Sequence, residues 1–457
     1  LELCFAEDVS RFGKKSIISL LLFLIAMILF LWSPNHYLYD SKYSLLMDEA
    51  IIHHGSPDMI RYVKQRFTPL RPNHGYTYTL DLIDGRLLYI YPWGSSLLSL
   101  PEVALFNLTG FEVASDGHYN DNNENRMQAI IAAFVCAGVV LILFEAASSC
   151  LTLGWSLVIA LVAGFGTPIW STASRSLWPQ TWSLVPISLA ILLLLKEKPR
   201  PVWLGSLVAL ALFVRPQTMP AVTMITLYVL LEFRPRLFLY YAVAAFAWTA
   251  VFTTVMWHFF GGYLPPVYST SVAQVGLSVW KTIPVRIDGL LFSPSRGLLV
   301  FVPVILFPLY LTVRYWRHLA HRRLAIVGLL VIVLQVAMTA CWGDWWGGWS
   351  YGPRLLLETL PWFVLLTILG VRNLLKEQRR YQYSAVIVGA LALSGLSIAI
   401  NGVGAWSTAA MNWNGSPTNI DQNPERLWDW HHPQFLAWRE LPPAAPQTWD
   451  RRRRFEN

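Results

Sequence analysis

The residues best placed for chemistry are four arginines at the ends of apolar runs. Arg175 follows one run, Arg215 interrupts another at Val214-Arg215-Pro216, Arg296 lies in Ser293-Pro294-Ser295-Arg296-Gly297, and Arg354 lies in Tyr351-Gly352-Pro353-Arg354. An ionisable residue in a membrane span costs about 2.5–3.5 kcal/mol on insertion scales, so its presence points to a role. Snorkelling to the headgroups accounts for one such arginine as readily as a site does, and less readily for four together. Three of the four stand beside Pro or Gly, where a helix is interrupted and backbone groups become free to meet a ligand. A guanidinium fork matches phosphate oxygens bidentately, so all four are candidate phosphate ligands.

Acids complement this basic set. Asp40 lies in Tyr39-Asp40-Ser41-Lys42-Tyr43, and Asp48 and Glu49 follow about two helical turns on. Asp is a favoured N-cap, and Asp40 is expected to cap a helix over 41–54. Asp48 and Glu49 read first as a solvated helix face. A carboxylate facing arginines at the membrane surface also has a chemical use, as general base towards a hydroxyl while the arginines hold a departing phosphate.

Aromatic residues crowd two stretches, Tyr89-Ile90-Tyr91-Pro92-Trp93-Gly94 and the run from Trp342 to Tyr351 that contains Asp344. Single rings belong to an interfacial belt. Four Trp interleaved with Gly suit a sugar site, with flat rings as walls and Gly permitting close backbone approach. The candidate sugar- or acceptor-lining residues are His74, Tyr91, Trp93, Gln180, Asp344, Trp346 and Tyr351. The cysteines Cys4, Cys136, Cys150 and Cys341 show no paired spacing, and there is no metal-ligand spacing, Walker loop or nucleotide fingerprint. No cofactor is expected, a divalent cation being left open.

The elements that must position these residues are membrane helices. A chain of 457 residues with 55% hydrophobic and 14% charged content has more apolar surface than a soluble fold can hide. Long continuous apolar runs indicate helices rather than barrel strands. The formal charge of +8 resides mostly in short loops beside apolar runs, as topology signals rather than a nucleic-acid surface. The run over 16–33 follows Arg11, Lys14 and Lys15 without a small-residue cleavage site and is read as a retained first span. Placing those basic residues in the cytoplasm and alternating spans puts 196–200, 234–236, 314–323 and 372–380 inside as well, as the positive-inside rule requires. The arrangement needs about eleven spans, near 16–33, 127–146, 155–172, 181–196, 202–215, 217–233, 238–257, 298–316, 324–341, 355–371 and 384–404, with the C-terminus outside.

The expected organisation is one transmembrane domain over 1–405, with outer loops 34–126, 258–297 and 342–354, and an outer tail over 406–457. Two stretches of the first loop, 41–54 and 93–108, are expected as interfacial helices. The tail, polar and rich in Pro and Trp and closing on Arg451 to Arg454, reads as a partly ordered solvated end.

The first-loop acid, Ser293-Pro294-Ser295-Arg296-Gly297 followed by Leu298-Leu299-Val300-Phe301-Val302-Pro303, and Trp346-Gly347-Gly348 with Tyr351-Gly352-Pro353-Arg354 together resemble the GT-C superfamily of integral-membrane glycosyltransferases. The likeness is to the bacterial branch related to protein O-mannosyltransferases and lipid A aminoarabinose transferase, and it runs by motif order over 34–370. The resemblance implies an all-α, GT-C-like bundle in the cytoplasmic (inner) membrane and a role in cell-envelope glycan biosynthesis. It also implies a sugar donor on a polyprenyl phosphate and a catalytic base after the first span. That base is carried over to Asp40, since Asp40, Tyr43 and Glu49 approximate the superfamily's Asp, Tyr and Glu order. The spacing is one residue short, which leaves Asp48 and Glu49 as alternative bearers. Gln180 stands near the position where many relatives have an acid or His.

The expected function is therefore transfer of a sugar from a polyprenyl-phosphate donor to a hydroxyl of a glycan, lipid or protein acceptor outside the membrane, with an inverting outcome expected. A carrier or flippase for a lipid-linked sugar would use the same arginines without chemistry. It would be expected to show paired half-sequences and helices broken near the midplane. A non-catalytic assembly protein would need no arginine cluster.

Overall fold

The computed structural model describes residues 2–63, 75–115, 118–196, 198–268, 279–376 and 380–439. The chain is a polytopic α-helical membrane protein. Six described helices are long and apolar enough to cross a membrane: Gly13–Trp32, Asp121–Ser148, Pro235–Phe260, Arg322–Ala340, Arg354–Leu374 and Ser384–Trp406. The helices Leu153–Phe165 and Pro168–Arg175, bent by 41° at their junction, add a seventh if the pair is one span.

Not every one of the about eleven expected spans is a single long helix. Pro179–Leu195, Pro201–Val214 and Pro303–Arg314 are shorter apolar helices, and a 14-residue helix covers about 21 Å of a hydrocarbon core of about 30 Å. The breaks have local causes. At Thr167 the side chain accepts from the Ile169 N–H and Pro168 opens a new helix, a helix start that cannot continue the preceding one. Within 298–316, Pro303 has no N–H to give, and the chain passes from Leu298–Phe301 through a 3₁₀ turn to Leu306–Arg314.

Helix Asp121–Ser148 is the hub of one half, packing against Glu2–Trp32, Leu153–Phe165 and Pro179–Leu195. Its buried Ala129, Ala132, Ala133, Ala137, Ala146 and Ala147 let neighbouring helices close in, as small residues do in lipid. Helices Pro201–Val214 and Pro235–Phe260 approach at Gly205, where a Cβ would stand 2.3 Å from the Tyr241 carbonyl oxygen. Val243, Phe246 and Val251 on Pro235–Phe260, and Val388 and Leu391 on the last helix, are exposed and form faces suited to lipid.

The segment after the first helix carries a small sheet that an all-helical expectation did not include. Strands Gly75–Thr77, Leu80–Ile83 and Arg86–Tyr89 pair antiparallel in that order. Asp84 and Gly85 both have positive φ, the requirement of a type I′ hairpin turn. Helices Ser44–His54 and Gly94–Asn107 form as expected and pack against each other. Asp40, however, does not cap the first of them. Tyr43 occupies the N-cap position at φ 73, and the carboxylate of Glu124 accepts the N–H groups of Tyr43 at 3.0 Å and Leu45 at 3.1 Å. A neighbouring helix thus satisfies the orphan donors, which leaves Asp40 available elsewhere.

The tail also differs from a solvated end. Residues 407–439 fold back through Thr408–Asn412 and the 3₁₀ turns Pro424–Trp428 and Gln434–Arg439. Asn414, Ile420, Leu427 and Gln434 are buried there. Residues 440–457, with Arg451 to Arg454, and His74 lie outside the described residues.

Candidate active site

Chain breaks at one end of the bundle define a cleft of about 260 Å³. The loop after the first helix gives Tyr39 and Asp40, the small sheet leads to Tyr91, and Trp178, Pro179 and Gln180 open helix Pro179–Leu195. Arg215 and Gln217 come from the break before Met219–Glu232, Trp342 to Trp349 from the loop after Arg322–Ala340, and Asp421 from the folded tail.

At its centre is an ion pair. The Arg354 guanidinium donates from Nη1 to Oδ2 of Asp40 at 2.8 Å and from Nη2 to the Gly347 carbonyl at 2.8 Å. It lies over the Trp178 ring at 4.1 Å, an arrangement that holds an arginine's plane. Tyr91 donates to Oδ1 of Asp40 at 3.2 Å, and the Tyr89 hydroxyl donates to the Asp40 carbonyl. The Tyr91 phenol is pushed well above its ordinary range by burial, with the Asp40 charge adding to it, so it stays a donor. The Asp40 side chain remains 22% exposed, which leaves it open to the cleft.

A second buried pair lies in the wall. Arg215 donates to Oε1 of Glu358 and to Gln217, and Ser183 donates to the same Glu358 oxygen at 2.9 Å. Glu358 is 1% exposed. A carboxylate beside a buried guanidinium compensates its charge and fixes its direction. Sequence reasoning missed Glu358, although an acid inside the expected span 355–371 was the signal. Tyr39, Trp178 and Asp421 were missed as well. Tyr39 stacks on Trp178 at 6.0 Å and meets Trp349 edge-on at 6.5 Å. Nothing in the residue pattern distinguished those rings from an interfacial belt.

The structure brings together Asp40, Tyr91, Gln180, Arg215, Asp344 and Arg354 of the expected site residues. Trp346 stands just behind the cleft, its indole N–H donating to Oδ1 of Asp421 at 3.1 Å. The others lie away from it. Arg175 donates to the carbonyls of Ser33, at 2.8 Å, and Phe30, tying off the end of the first helix. Arg296 donates to the Trp346, Ser295 and Gly348 carbonyls and to Gln434 and Asn414, five bonds of 2.6–3.1 Å. Five bonds use all the donors a guanidinium has, so the four arginines are not one phosphate cluster. Trp93 packs on Phe259 and Phe260 and donates to the Tyr89 carbonyl. The Tyr351 hydroxyl donates to the Ile400 carbonyl at 2.6 Å.

Asp48 and Glu49 do not form a solvated face either, both being fully buried. Burial holds the Asp48 carboxyl well above the ordinary aspartate range, with the Glu124, Glu102 and Glu49 charges adding and a Ser96 hydroxyl opposing. Burial also raises Glu49, which pairs with His53 at 3.2 Å and accepts from Asn107. Neither lines the cleft.

Among the described residues, no group of three or more His, Cys, Asp or Glu could hold a metal ion. Each Asp40 oxygen accepts one hydrogen bond, Oδ1 from Tyr91 and Oδ2 from Arg354.

No family model and no curated protein matches the chain. Solved structures do. The chain is similar to the Archaeoglobus fulgidus oligosaccharyltransferase in complex with Zn and sulfate, at 12% identity and a TM-score of 0.45 over 93% of this chain and 59% of that one. It is similar to ArnT from Cupriavidus metallidurans in the apo state, at 10% identity and a TM-score of 0.43 over 94% and 76% of the two chains. The archaeal oligosaccharyltransferase tethered to an acceptor peptide with the NVT sequon gives 11% identity and a TM-score of 0.40 over 90% and 58%. Both proteins are GT-C superfamily membrane glycosyltransferases. The chain spans about three-fifths of the archaeal protein's length. At these identities and scores the likeness gives no residue a role, and roles rest on the side chains.

Proposed function

We propose that the protein is a membrane glycosyltransferase that takes a sugar from a polyprenyl-phosphate donor and passes it to an acceptor hydroxyl. One juxtaposition carries the reading. The polar cleft with Asp40 and Arg354 adjoins an apolar cavity of about 330 Å³, lined by Phe213, Met219, Phe252 and Met256. The two share Gln217, Tyr268 and Trp342. A ligand suited to both has a charged, hydroxyl-rich head and an apolar chain, and a sugar on a lipid phosphate is such a molecule.

In the proposed reaction the acceptor oxygen attacks the anomeric carbon as the bond from that carbon to the phosphate oxygen breaks. The hydroxyl proton passes to the Asp40 carboxylate, and polyprenyl phosphate departs with the bonding pair. Without substrate, Arg354 and Asp40 form a 2.8 Å pair. A bound phosphate would share that guanidinium with Asp40, placing positive charge beside the leaving group as it departs. Arg215, held by Glu358, supplies a second positive group in the wall. Attack opposite the leaving phosphate inverts the anomeric centre.

The test is to incubate the purified protein with a panel of radiolabelled polyprenyl-phosphate sugars and membrane-extracted acceptors. Transfer from at least one donor, lost in Asp40→Asn, is expected. No transfer from any donor by folded protein would overturn the reading.

A further inference from the structure

Arg296 poses a physical question that phosphate binding does not answer. A guanidinium is 1% exposed with no carboxylate among its hydrogen-bond partners, and burying such a charge is costly unless every donor is used. What its five bonds accomplish is a junction. The carbonyls of Trp346 and Gly348 belong to the cleft loop, while Asn414 Oδ1 and Gln434 Oε1 belong to the folded tail. Gln434 returns the contact by donating to the Ser350 carbonyl at 2.8 Å.

The junction aligns two further bonds. Trp346 donates its indole N–H to Asp421 at 3.1 Å, and Trp349 donates to Asn419 Oδ1 at 3.1 Å. The turn holding Asp421 is braced from within by Ile420 N–H to the Asn414 carbonyl at 2.8 Å and Asp421 N–H to Asn419 Oδ1 at 3.0 Å. A carboxylate from the tail therefore lines the same cleft as Asp40, beside Trp349. Carboxylates accept strongly from hydroxyls, and an adjoining indole covers the apolar face of a pyranose or furanose ring.

The geometry points to Asp421 as a specificity-determining residue for the hydroxyls of the transferred sugar, with Arg296 as the positioning residue that clamps the tail in place. The assignment rests on the lipid-phosphate reading of the cleft. It makes the tail part of the sugar site and separates sugar recognition from phosphate recognition.

The experiment measures binding of the purified full chain to a short-chain polyprenyl phosphate and to the same lipid phosphate carrying glucose, mannose, galactose or N-acetylglucosamine. The parent is expected to prefer at least one sugar lipid over the bare phosphate. Asp421→Ala is expected to lower affinity for that sugar lipid by about ten-fold, the size of one lost charged hydrogen bond, while bare-phosphate affinity stays within about two-fold. Asp421→Asn keeps an acceptor for Trp346 and is expected to fall between the two. Arg296→Lys retains charge but not the five-way junction, and is expected to lose the same sugar preference. A preference unchanged in both Asp421 variants would overturn the assignment, as would a parent that binds sugar lipid and bare phosphate equally. A parent that binds neither lipid would overturn the lipid-phosphate reading and this assignment with it.

Discussion

Arg354 and Arg296 look alike in the sequence, each an arginine next to a Pro or Gly break, yet they end in opposite circumstances. Arg354 has one anionic partner and lies in the cleft, whereas Arg296 spends its donors on neutral groups of the fold. Position at a helix end was legible and told which end of the bundle each occupies. The acceptors that would meet them were not, because four of those for Arg296 lie 50 or more residues away. Arg354→Ala is expected to lower kcat/KM for a lipid-linked donor by about 10- to 100-fold, from a lost charged hydrogen bond. Arg354→Lys is expected to lose less, since charge survives without the fork. Equal efficiency in all three proteins would reduce Arg354 to a structural ion pair.

Asp48 yields a different kind of prediction. Its folded carboxyl titrates well above its ordinary value because of burial, so the unfolded chain releases that proton at lower pH than the folded one. The contribution is fully present below about pH 4 and is lost as pH rises towards the folded value. Asp48→Asn should therefore flatten the fall in thermal midpoint between pH 5 and pH 8 and leave turnover unchanged. A fall as steep as the parent's would show that Asp48 does not titrate in this way.

At the scale of elements, Trp-Gly-Gly was legible as a close-approach loop, and the geometry gives the reason. Gly347 and Gly348 have φ of 77° and 61°, and a Cβ at Gly347 would stand 3.2 Å from Leu355 and 3.4 Å from Nε of Arg354. Gly347→Ala should cost about 1–2 kcal/mol for the left-handed backbone and lower turnover further by displacing Arg354. Gly343→Ala, with nothing within 4 Å of its Cβ, is the control and should change stability by less than about 0.5 kcal/mol. Paired thermal-unfolding and turnover measurements separate these effects. The helix breaks at Pro168 and Pro303 were hidden by the hydrophobic runs around them. The capping of Ser44–His54 by Glu124 was also hidden, because a cap from another helix leaves no local motif.

At the scale of the molecule, all the cleft-lining segments gather at one end of the bundle, and the basic loops 196–200, 234–236 and 314–323 lie at the other ends of the same helices. The division was readable from charge alone, because arginines and lysines at the second end follow the positive-inside rule. The folding of the tail was not, since its polar composition concealed Asn414 and Gln434 as buried partners of Arg296. With the basic loops cytoplasmic, an alkaline phosphatase fusion after Asn457 should be active and one inserted in 196–200 inactive. The reverse pattern would invert the proposed orientation.

Asp40 is proposed to take a proton in a cleft where Arg354 holds phosphate. Single-turnover release of polyprenyl phosphate from a lipid-linked sugar, measured with donor affinity in parent and Asp40→Asn, tests it most directly. Asn keeps one acceptor oxygen, for Arg354, and its NH2 can donate to the Tyr91 hydroxyl, so donor affinity should stay within about two-fold, while the rate falls by roughly 100- to 10,000-fold, the usual worth of a positioned general base. A near-parental rate in Asp40→Asn would contradict the account.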